Sequence, residues 1–371
     1  MNYSEDQRIV LTLDAGGTNF VFSAIQSNRE IVEPVCLPSE TMELGKSLDT
    51  IADGFRRMMD TLDEKPAAIS FAFPGPADYP AGIIDNVGNL PAFAGGVPLG
   101  PWLKKQFGMP VFINNDGNLF VYGEAIAGLL PRVNRMLEES GCPKRYRILF
   151  GVTLGTGFGG GLVCDGQLII GDNSNAAEIW LMRNKVRPGC LAEDGASIRA
   201  VCNSYAMNAG IKPGADPSPK EIEEIALGQA VGDKAAAIEA YRELGEVVGD
   251  AIANALTLVD GLVVIGGGLS KGHHLFMPSV LEELNGRISG YEGNSFDRLA
   301  QRAFNLEDET QRAEFLAGAT KQIAMPGGDE TLAYDPLKRI GIGTSVLGTS
   351  KAVGIGSYAF ALHNMDKQSS A

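Results

Sequence analysis

The chain has 371 residues, which is long enough for two domains, and its 44% hydrophobic and 20% charged residues are typical of a globular protein. Its formal net charge of -14 argues against a protein that holds nucleic acid by neutralising phosphates. A small anionic ligand is still compatible with this charge, because a few backbone amides can bind phosphate locally.

Strand-like and helix-like segments alternate along the chain, which predicts an α/β protein. A β-hairpin is predicted from about residue 8, with RIVLTLDAGGT and VFSAIQSN as its strands. A helical pattern follows in SLDTIADGFRRMMDTLDEK, then two buried strands, AAISFAF and MPVFINN, and a second helical pattern, GNLFVYGEAIAGLL.

The second half repeats the glycine-turn hairpin, in RILFGVTLGTGFGGGLVCDGQLI. A long helical pattern then leads into the apolar strand GLVVIGGGLS, and the last elements are a strand, RIGIGTS, and a helix rich in small residues. We interpret the polar region of about 272–335 as inserted helices and loops. The predicted domains are 1–118 and 119–345, with a C-terminal helix at 346–371 that packs back on the first domain.

Cysteine spacing and hydropathy argue against a disulfide-rich, zinc-binding, secreted or membrane protein. None of the cysteines forms a C-x-x-C pair, so we expect neither a disulfide framework nor a four-cysteine zinc site. The first residues, MNYSEDQRIV, do not resemble a signal peptide, and no apolar run reaches the roughly 18 residues that span a membrane. We therefore expect a cytoplasmic protein without a membrane partner.

The first glycine turn carries Asp14, Gly16, Gly17, Thr18 and Asn19. The two glycines permit a tight turn whose amides face a phosphate, and the last two residues add short donors. A carboxylate beside phosphates is repelled unless a cation lies between them, so we interpret Asp14 as a Mg²⁺ ligand, directly or through water. An ordinary Gly-Gly hairpin turn is the alternative.

Two further glycine clusters follow strands. LGTGFGGG satisfies G-x-G-x-x-G, but a strand follows it where a dinucleotide fold needs a helix. This favours a phosphate-binding hairpin formed by Gly155, Thr156 and Gly157, with Thr156 as a hydroxyl donor. At the end of VVIGGGLS, Gly267 and Gly268 would let a base or ribose lie against bare backbone, although glycines at strand ends are common.

Asp116 and Asn115 lie where the buried strand MPVFINN meets a helix. Asp116 is interpreted as a general base that accepts a proton from a hydroxyl attacking the γ-phosphate of ATP. Asn115 would hold a neighbouring hydroxyl. The alternative for Asp116 is a helix N-cap with no chemical role.

Together with FPGPAD and GIIDNVGNLPAF, these segments resemble the ROK family of sugar kinases and repressors, in order and spacing, over nearly the whole chain. The resemblance implies two actin-like (ribonuclease H-like) ATPase domains with a cleft between them for ATP and a hexose. Its catalytic base would be Asp116. The residues matching sugar-side positions are Gly75, Asn89, Asn115, Asp116 and Glu178. Those matching the nucleotide side are Asp14, Gly16, Gly17, Thr18, Gly155, Thr156, Gly157, Gly267 and Gly268.

The chain departs from the family pattern downstream of Glu178. Leu181 stands where the family has a histidine that contacts sugar and zinc, and of the family's cysteine cluster only Cys190 is present. One thiol cannot build a tetrahedral zinc site, so we expect no zinc. Glu193 is carried over as a sugar-binding residue, although the local spacing differs by one residue.

The sequence thus predicts an ATP- and Mg²⁺-dependent hexose kinase, with the 6-hydroxyl of glucose or a related sugar as acceptor. A catalytically weakened sugar-binding or regulatory protein stays open because the histidine and zinc motif are missing. A transcriptional repressor is a weaker alternative, since only about ten residues precede the first phosphate motif. Family members are often dimers, which leaves a homodimer open.

Overall fold

The structure is a computed structural model that describes residues 3–15, 19–39, 42–75, 77–85, 91–212 and 217–370. The chain forms two compact units. Unit 1 comprises Met1–Gly128, Gly161–Ala177 and Val346–Ala371, and unit 2 comprises Leu129–Gly160 and Glu178–Ser345. The boundary predicted at residue 118 falls inside the helix Asp116–Ala127, so the first run of unit 1 extends past it.

Strands and helices alternate, as the sequence predicts for an α/β protein. The strands are β1 (Val10–Ala15), β2 (Asn19–Gln26), β3 (Arg29–Glu30), β4 (Val35–Pro38), β5 (Ala68–Ala72), β6 (Ala77–Asp78), β7 (Ile83–Ile84), β8 (Val111–Asn114), β9 (Ile148–Leu154), β10 (Phe158–Cys164), β11 (Gln167–Leu168), β12 (Leu262–Gly266), β13 (Arg287–Ser289), β14 (Ser295–Asp297), β15 (Arg302–Asn305), β16 (Lys321–Ala324), β17 (Thr331–Tyr334) and β18 (Arg339–Thr344). The α-helices are α1 (Leu44–Asp60), α2 (Leu99–Phe107), α3 (Asp116–Ala127), α4 (Leu129–Glu139), α5 (Ile198–Ala209), α6 (Pro219–Leu227), α7 (Lys234–Val259), α8 (His273–Leu284), α9 (Glu309–Ala317) and α10 (Thr349–Ser370).

Unit 1 is built on a sheet of strand order β3-β2-β1-β5-β8, with β4 paired to β2. The first hairpin is antiparallel, whereas β1, β5 and β8 run parallel. One face of the sheet packs against α1, whose Ile51, Phe55 and Met58 recur at helical spacing and are fully buried. The other face is covered by α10, which also packs along α3. The sheet therefore carries helices on both faces.

Unit 2 contains four parallel strands in the order β9-β12-β18-β15. The buried strand β12 consists of Leu262–Gly266, and its apolar run is typical of a parallel strand covered on both faces. Its neighbour β9 pairs with it in register, so that Thr153 lies opposite Gly266. The long helix α7 packs on α5 and α8. The carboxyl ends of β9 and β12 thus lie side by side.

The polar region 272–335 contains strands as well as helices and loops, so the prediction of helices and loops alone was wrong. β15 pairs in parallel with β18, and its residues Ala303 and Phe304 are buried in the core. Two separate hairpins, β13–β14 and β16–β17, also lie in this region. Only two apolar residues mark β15, which is too few for an alternating pattern to show.

Throughout the described ranges, each helix is too short or too polar to cross a bilayer.

Candidate active site

The carboxyl edge of the unit 1 sheet collects several of the predicted residues. Ala72 of β5 pairs with Asp14 of β1 on one side and with Asn114 of β8 on the other. The three strand ends therefore lie at the same level, with neighbouring strands about 4.8 Å apart. Because open α/β sheets bind ligands at this edge, Asp14 and the Asn115–Asp116 pair that follows β8 are well placed to contact one ligand.

Asn115, and not Asp116, is the N-cap of α3. The backbone of Asn115 is extended, and its Oδ1 accepts a hydrogen bond from the amide of Gly117 at 2.8 Å. Asp116 is the first residue of the helix, and its exposed carboxylate also accepts from Gly117, at 2.9 Å. Asn115 is therefore the cap, and Asp116 occupies the first helical position, where its carboxylate is a second acceptor for the same amide.

The electrostatic surroundings of Asp116 favour the protonated acid. Its carboxylate keeps contact with solvent, yet the protein around it raises its pKa, with burial as the largest cause. Backbone hydrogen bonds from Gly117 and from Asp116 itself oppose the rise, and the negative charge of Asp14 adds to it. A carboxylate with a raised pKa is a stronger base once it is ionised.

Asp14 lies at the exposed end of β1, where burial by the surrounding protein raises its pKa and a hydrogen bond from Ser350 opposes the rise. It lines a cavity of about 520 Å³ in unit 1, together with Ser23, Ser350 and Lys351. A cation at this sheet edge would stabilise the ionised forms of Asp14 and Asp116, whose pKa values are both raised. Carboxylate oxygen is also the donor that Mg²⁺ uses beside phosphates, so Asp14 fits that ion.

Gly75 follows β5 at a bend that lies close to the end of the Tyr79 side chain. A Cβ atom at Gly75 would lie 2.9 Å from the hydroxyl oxygen of Tyr79. That hydroxyl donates a hydrogen bond to the carbonyl of Phe73 at 3.0 Å and so closes the turn. Tyr79 was not singled out in the sequence, because a tyrosine in a proline-rich turn gives no signal of this contact.

The second glycine turn, Gly155–Gly157, joins β9 to β10 in unit 2. The amide of Gly155 donates to the carbonyl of Gly157 at 3.0 Å, and Thr156 is exposed at the tip. Gly267, at the end of β12, has φ +87° and packs so tightly that its Cβ would lie 2.3 Å from the carbonyl oxygen of Leu154. Tight packing on β9 is therefore what requires a glycine at position 267.

Gly268, the next residue, faces open space, since a Cβ atom there would meet nothing within 4 Å. It begins the short 3-10 helix Gly268–Gly272. The two glycines that the sequence grouped together thus differ: one is needed for packing, and the other leaves the end of the strand uncovered.

Glu178 and Glu193 make different contacts within unit 2. The carboxylate of Glu178 accepts a hydrogen bond from the indole N–H of Trp180, in a short 3-10 helix. The carboxylate of Glu193 accepts from the amide of Phe158, at 3.1 Å, directly after the second glycine turn. Leu181, which replaces the family's histidine, is 55% exposed.

Four of the predicted residues, Gly16, Gly17, Thr18 and Asn89, lie outside the described residues. Asn19 is described as the exposed first residue of β2. Within the described part of the chain, no group of three or more His, Cys, Asp or Glu side chains is arranged to hold a metal ion.

Two residues at these sites were missed by sequence reasoning. Ser350 hydrogen-bonds Asp14 although it lies at the far end of the chain, and Asn184 is a buried residue in the loop before Glu193. No local pattern marks either residue, because both act through contacts that only folding creates.

Comparisons with known proteins agree with the resemblance. The sequence profile of the ROK family matches residues 10–310. The chain is 30% identical over 269 residues to the N-acetyl-D-glucosamine kinase of Vibrio cholerae serotype O1, which covers 70% of this chain and 83% of that relative. It is 26% identical over 290 residues to the glucokinase of Thermotoga maritima, with coverage of 72% and 85%.

A solved structure is more similar still. The crystal structure of a glucokinase from Parabacteroides distasonis ATCC 8503 is 50% identical, with a TM-score of 0.88, and the match covers 98% of this chain and 99% of that chain. The likeness confirms the predicted α/β fold of actin-like type. Since the family profile spans most of the sequence, the chain belongs to the ROK family.

Proposed function

We propose that this protein is an ATP-dependent sugar kinase that phosphorylates glucose on its 6-hydroxyl. The glucokinase of Parabacteroides distasonis is 50% identical over nearly the full length, whereas the N-acetyl-D-glucosamine kinase of Vibrio cholerae is 30% identical. This difference favours glucose over its N-acetylated relative. The observation that carries the proposal is the carboxylate of Asp116, which stands beside the α3 cap at the carboxyl edge of the sheet with a raised pKa.

In the proposed reaction, Asp116 accepts the proton of the sugar hydroxyl as that hydroxyl attacks the γ-phosphate of ATP. Its Oδ1 already accepts a hydrogen bond from Gly117, so we assign the proton to Oδ2. Burial, the largest cause of the raised pKa of Asp116, makes its carboxylate a stronger base.

The sugar would be held by side chains that already use one polar atom within the protein and have another left for a sugar hydroxyl. Asn115 uses its Oδ1 as the helix cap, which leaves its Nδ2 to donate to a sugar hydroxyl. Glu178 uses one carboxylate oxygen for the indole of Trp180, which leaves the other to accept from a hydroxyl. Gly75 and Asn89 complete the sugar side by resemblance.

The phosphates of ATP would bind the amides of the turn Gly155–Gly157 and the hydroxyl of Thr156. Asp14, oriented by Ser350, would hold Mg²⁺, which neutralises phosphate charge when it is bound. Gly268 leaves the end of β12 open for the nucleoside.

The test is a kinase assay on the purified chain with ATP, Mg²⁺ and a panel of hexoses and N-acetylhexosamines. We expect ADP release with glucose at the highest kcat/KM, and glucose 6-phosphate as the product by NMR. A higher kcat/KM with N-acetylglucosamine would reassign the substrate. If no sugar supports ADP release although glucose binds in calorimetry, the weakened sugar-binding protein that the sequence left open is the better description.

A further inference from the structure

The loop before Glu193 is closed around one buried amide side chain. Asn184 is 1% exposed, and its Oδ1 accepts from the amide of Arg187 at 2.9 Å. Its Nδ2 donates to the carbonyl of Leu191 at 3.3 Å, and its own amide donates to the carbonyl of Cys190 at 3.0 Å. Side-chain and backbone hydrogen bonds of a single asparagine thus close this loop.

The closed loop sets the position of the short 3-10 helix Ala192–Gly195, which carries Glu193. A Cβ atom at Gly195 would lie 2.6 Å from Nδ2 of Asn184, so the helix packs directly on the asparagine. Because a buried side chain with its hydrogen bonds made has little freedom, Asn184 holds the backbone of this short helix in place.

Glu193 is directed at the second glycine turn. Its Oε2 accepts from the amide of Phe158 at 3.1 Å, and a Cβ atom at Gly157 would lie 2.8 Å from the same oxygen. The amide of Ile198 donates to the carbonyl of Gly155 at 2.8 Å. The segment that contains Glu193 therefore holds the turn at both of its ends.

The carboxylate of Glu193 has a guanidinium and a backbone amide as neighbours. The guanidinium of Arg199 lies 4.0 Å from its carboxylate, and the amide of Phe158 supplies a direct donor. A carboxylate engaged in this way orients the peptide that follows Gly157.

From these contacts we propose that Asn184 and Glu193 are positioning residues for the turn Gly155–Gly157, so that Glu193 serves the ATP side of the reaction. The proposal rests on the proposed function, in which this turn binds the phosphates of ATP.

The test compares Glu193→Ala and Glu193→Gln in the full-length protein. We expect Glu193→Ala to raise KM for ATP about tenfold, the effect of losing one hydrogen bond to a charged group. Calorimetry with Mg²⁺ and a non-hydrolysable ATP analogue should show the same loss. Glu193→Gln keeps an oxygen that accepts from Phe158 and should restore ATP binding.

Asp194→Asn is the matched control. Asp194 is the next residue of the same 3-10 helix and lies 3.6 Å from Arg199, but it accepts from the amide of Leu191 and not from the turn. This variant should leave both KM values unchanged. Asn184→Ala should reproduce the loss of ATP affinity. If this variant does not fold, the result with Glu193→Ala still tests the proposal, because Glu193 is partly exposed and its replacement should not prevent folding.

The outcomes separate this proposal from the proposed function. A rise of KM for glucose in Glu193→Ala with unchanged KM for ATP would overturn the proposal, and so would no effect on either. Thr156→Ala reports on the turn itself. If Thr156→Ala weakens binding of the ATP analogue and Glu193→Ala does not, only the positioning role fails. If the wild-type protein does not bind the analogue, the proposed function fails.

Discussion

A Cβ atom added to Gly356 would lie 1.8 Å from the carbonyl oxygen of Leu119, because α10 and α3 meet backbone to backbone. We expect Gly356→Ala to destabilise the protein by about 2 kcal/mol or more, since two helix backbones must separate. Urea unfolding would measure the loss as a lower midpoint. Activity should fall too, because α3 carries Asp116 at its first turn.

Gly354→Ala on the same helix is the control for this prediction. A Cβ atom at Gly354 would first meet the tip of the Ile25 side chain, at 3.2 Å, and alanine is the better helix former. We expect its unfolding midpoint to stay near that of the wild type. Equal midpoints for the two variants would argue against the close approach of α3 and α10.

Asp116→Asn should lower kcat by about 10²- to 10⁴-fold, the usual range for loss of a general base. Glucose binding should persist, because asparagine keeps the shape of the side chain and Asn115 still caps the helix. A coupled ADP assay and calorimetry with glucose would measure the two quantities. Asp53→Asn, at a partly exposed ion pair with Arg57, should leave kcat unchanged. Turnover of Asp116→Asn at the wild-type rate would remove Asp116 from its proposed role.

The ionised side chain of Asp116 should lower the stability of the folded protein at neutral pH. Its pKa is raised in the folded protein above the ordinary 3.8, so the folded state binds this proton more tightly than the unfolded chain. Its stabilising contribution is therefore present below pH 3.8 and is lost as the pH rises through the folded pKa. We expect Asp116→Asn to raise Tm at neutral pH, with a gain that shrinks in acid. Scanning calorimetry across pH would contradict this if the variant melted at or below the wild-type Tm at neutral pH.

Breaking the buried ion pair between Arg339 and Asp335 should cause a large loss in the free energy of unfolding. The Arg339 guanidinium is hydrogen-bonded to Asp335 and to the carbonyl of Phe315, and Arg339 is 1% exposed. Burial alone would raise the pKa of Asp335, but its hydrogen bonds from Arg339 and two backbone amides outweigh this and lower it. We expect Asp335→Ala to destabilise by about 3–5 kcal/mol, because it leaves a buried charge unpaired.

Glu314→Ala provides the comparison for the buried pair. Glu314 lies 3.2 Å from Arg302 in an ion pair whose side chains are both about half exposed. Its removal should cost at most about 1 kcal/mol in the same urea titration. Similar losses for Asp335→Ala and Glu314→Ala would show that burial does not govern the strength of these pairs.

The order of strands and helices could be predicted because its signals are local. The apolar runs of β5, β8 and β12 and the helical spacing of Ile51, Phe55 and Met58 each lie within a short stretch of sequence. The short strand β15 could not be predicted, since its place beside β18 depends on pairing across more than thirty residues of intervening chain, not on its own pattern.

The sequence alone determined the family, the α/β fold and a set of chemically plausible residues, because glycine turns and strand-end carboxylates recur as ordered motifs. Only the tertiary structure decided which atoms those residues use. It makes Asn115 the helix cap beside Asp116, and it brings the carboxylate of Glu193 to the amide of Phe158. Such contacts join residues distant along the chain, and their strength comes from burial and geometry that no local pattern encodes.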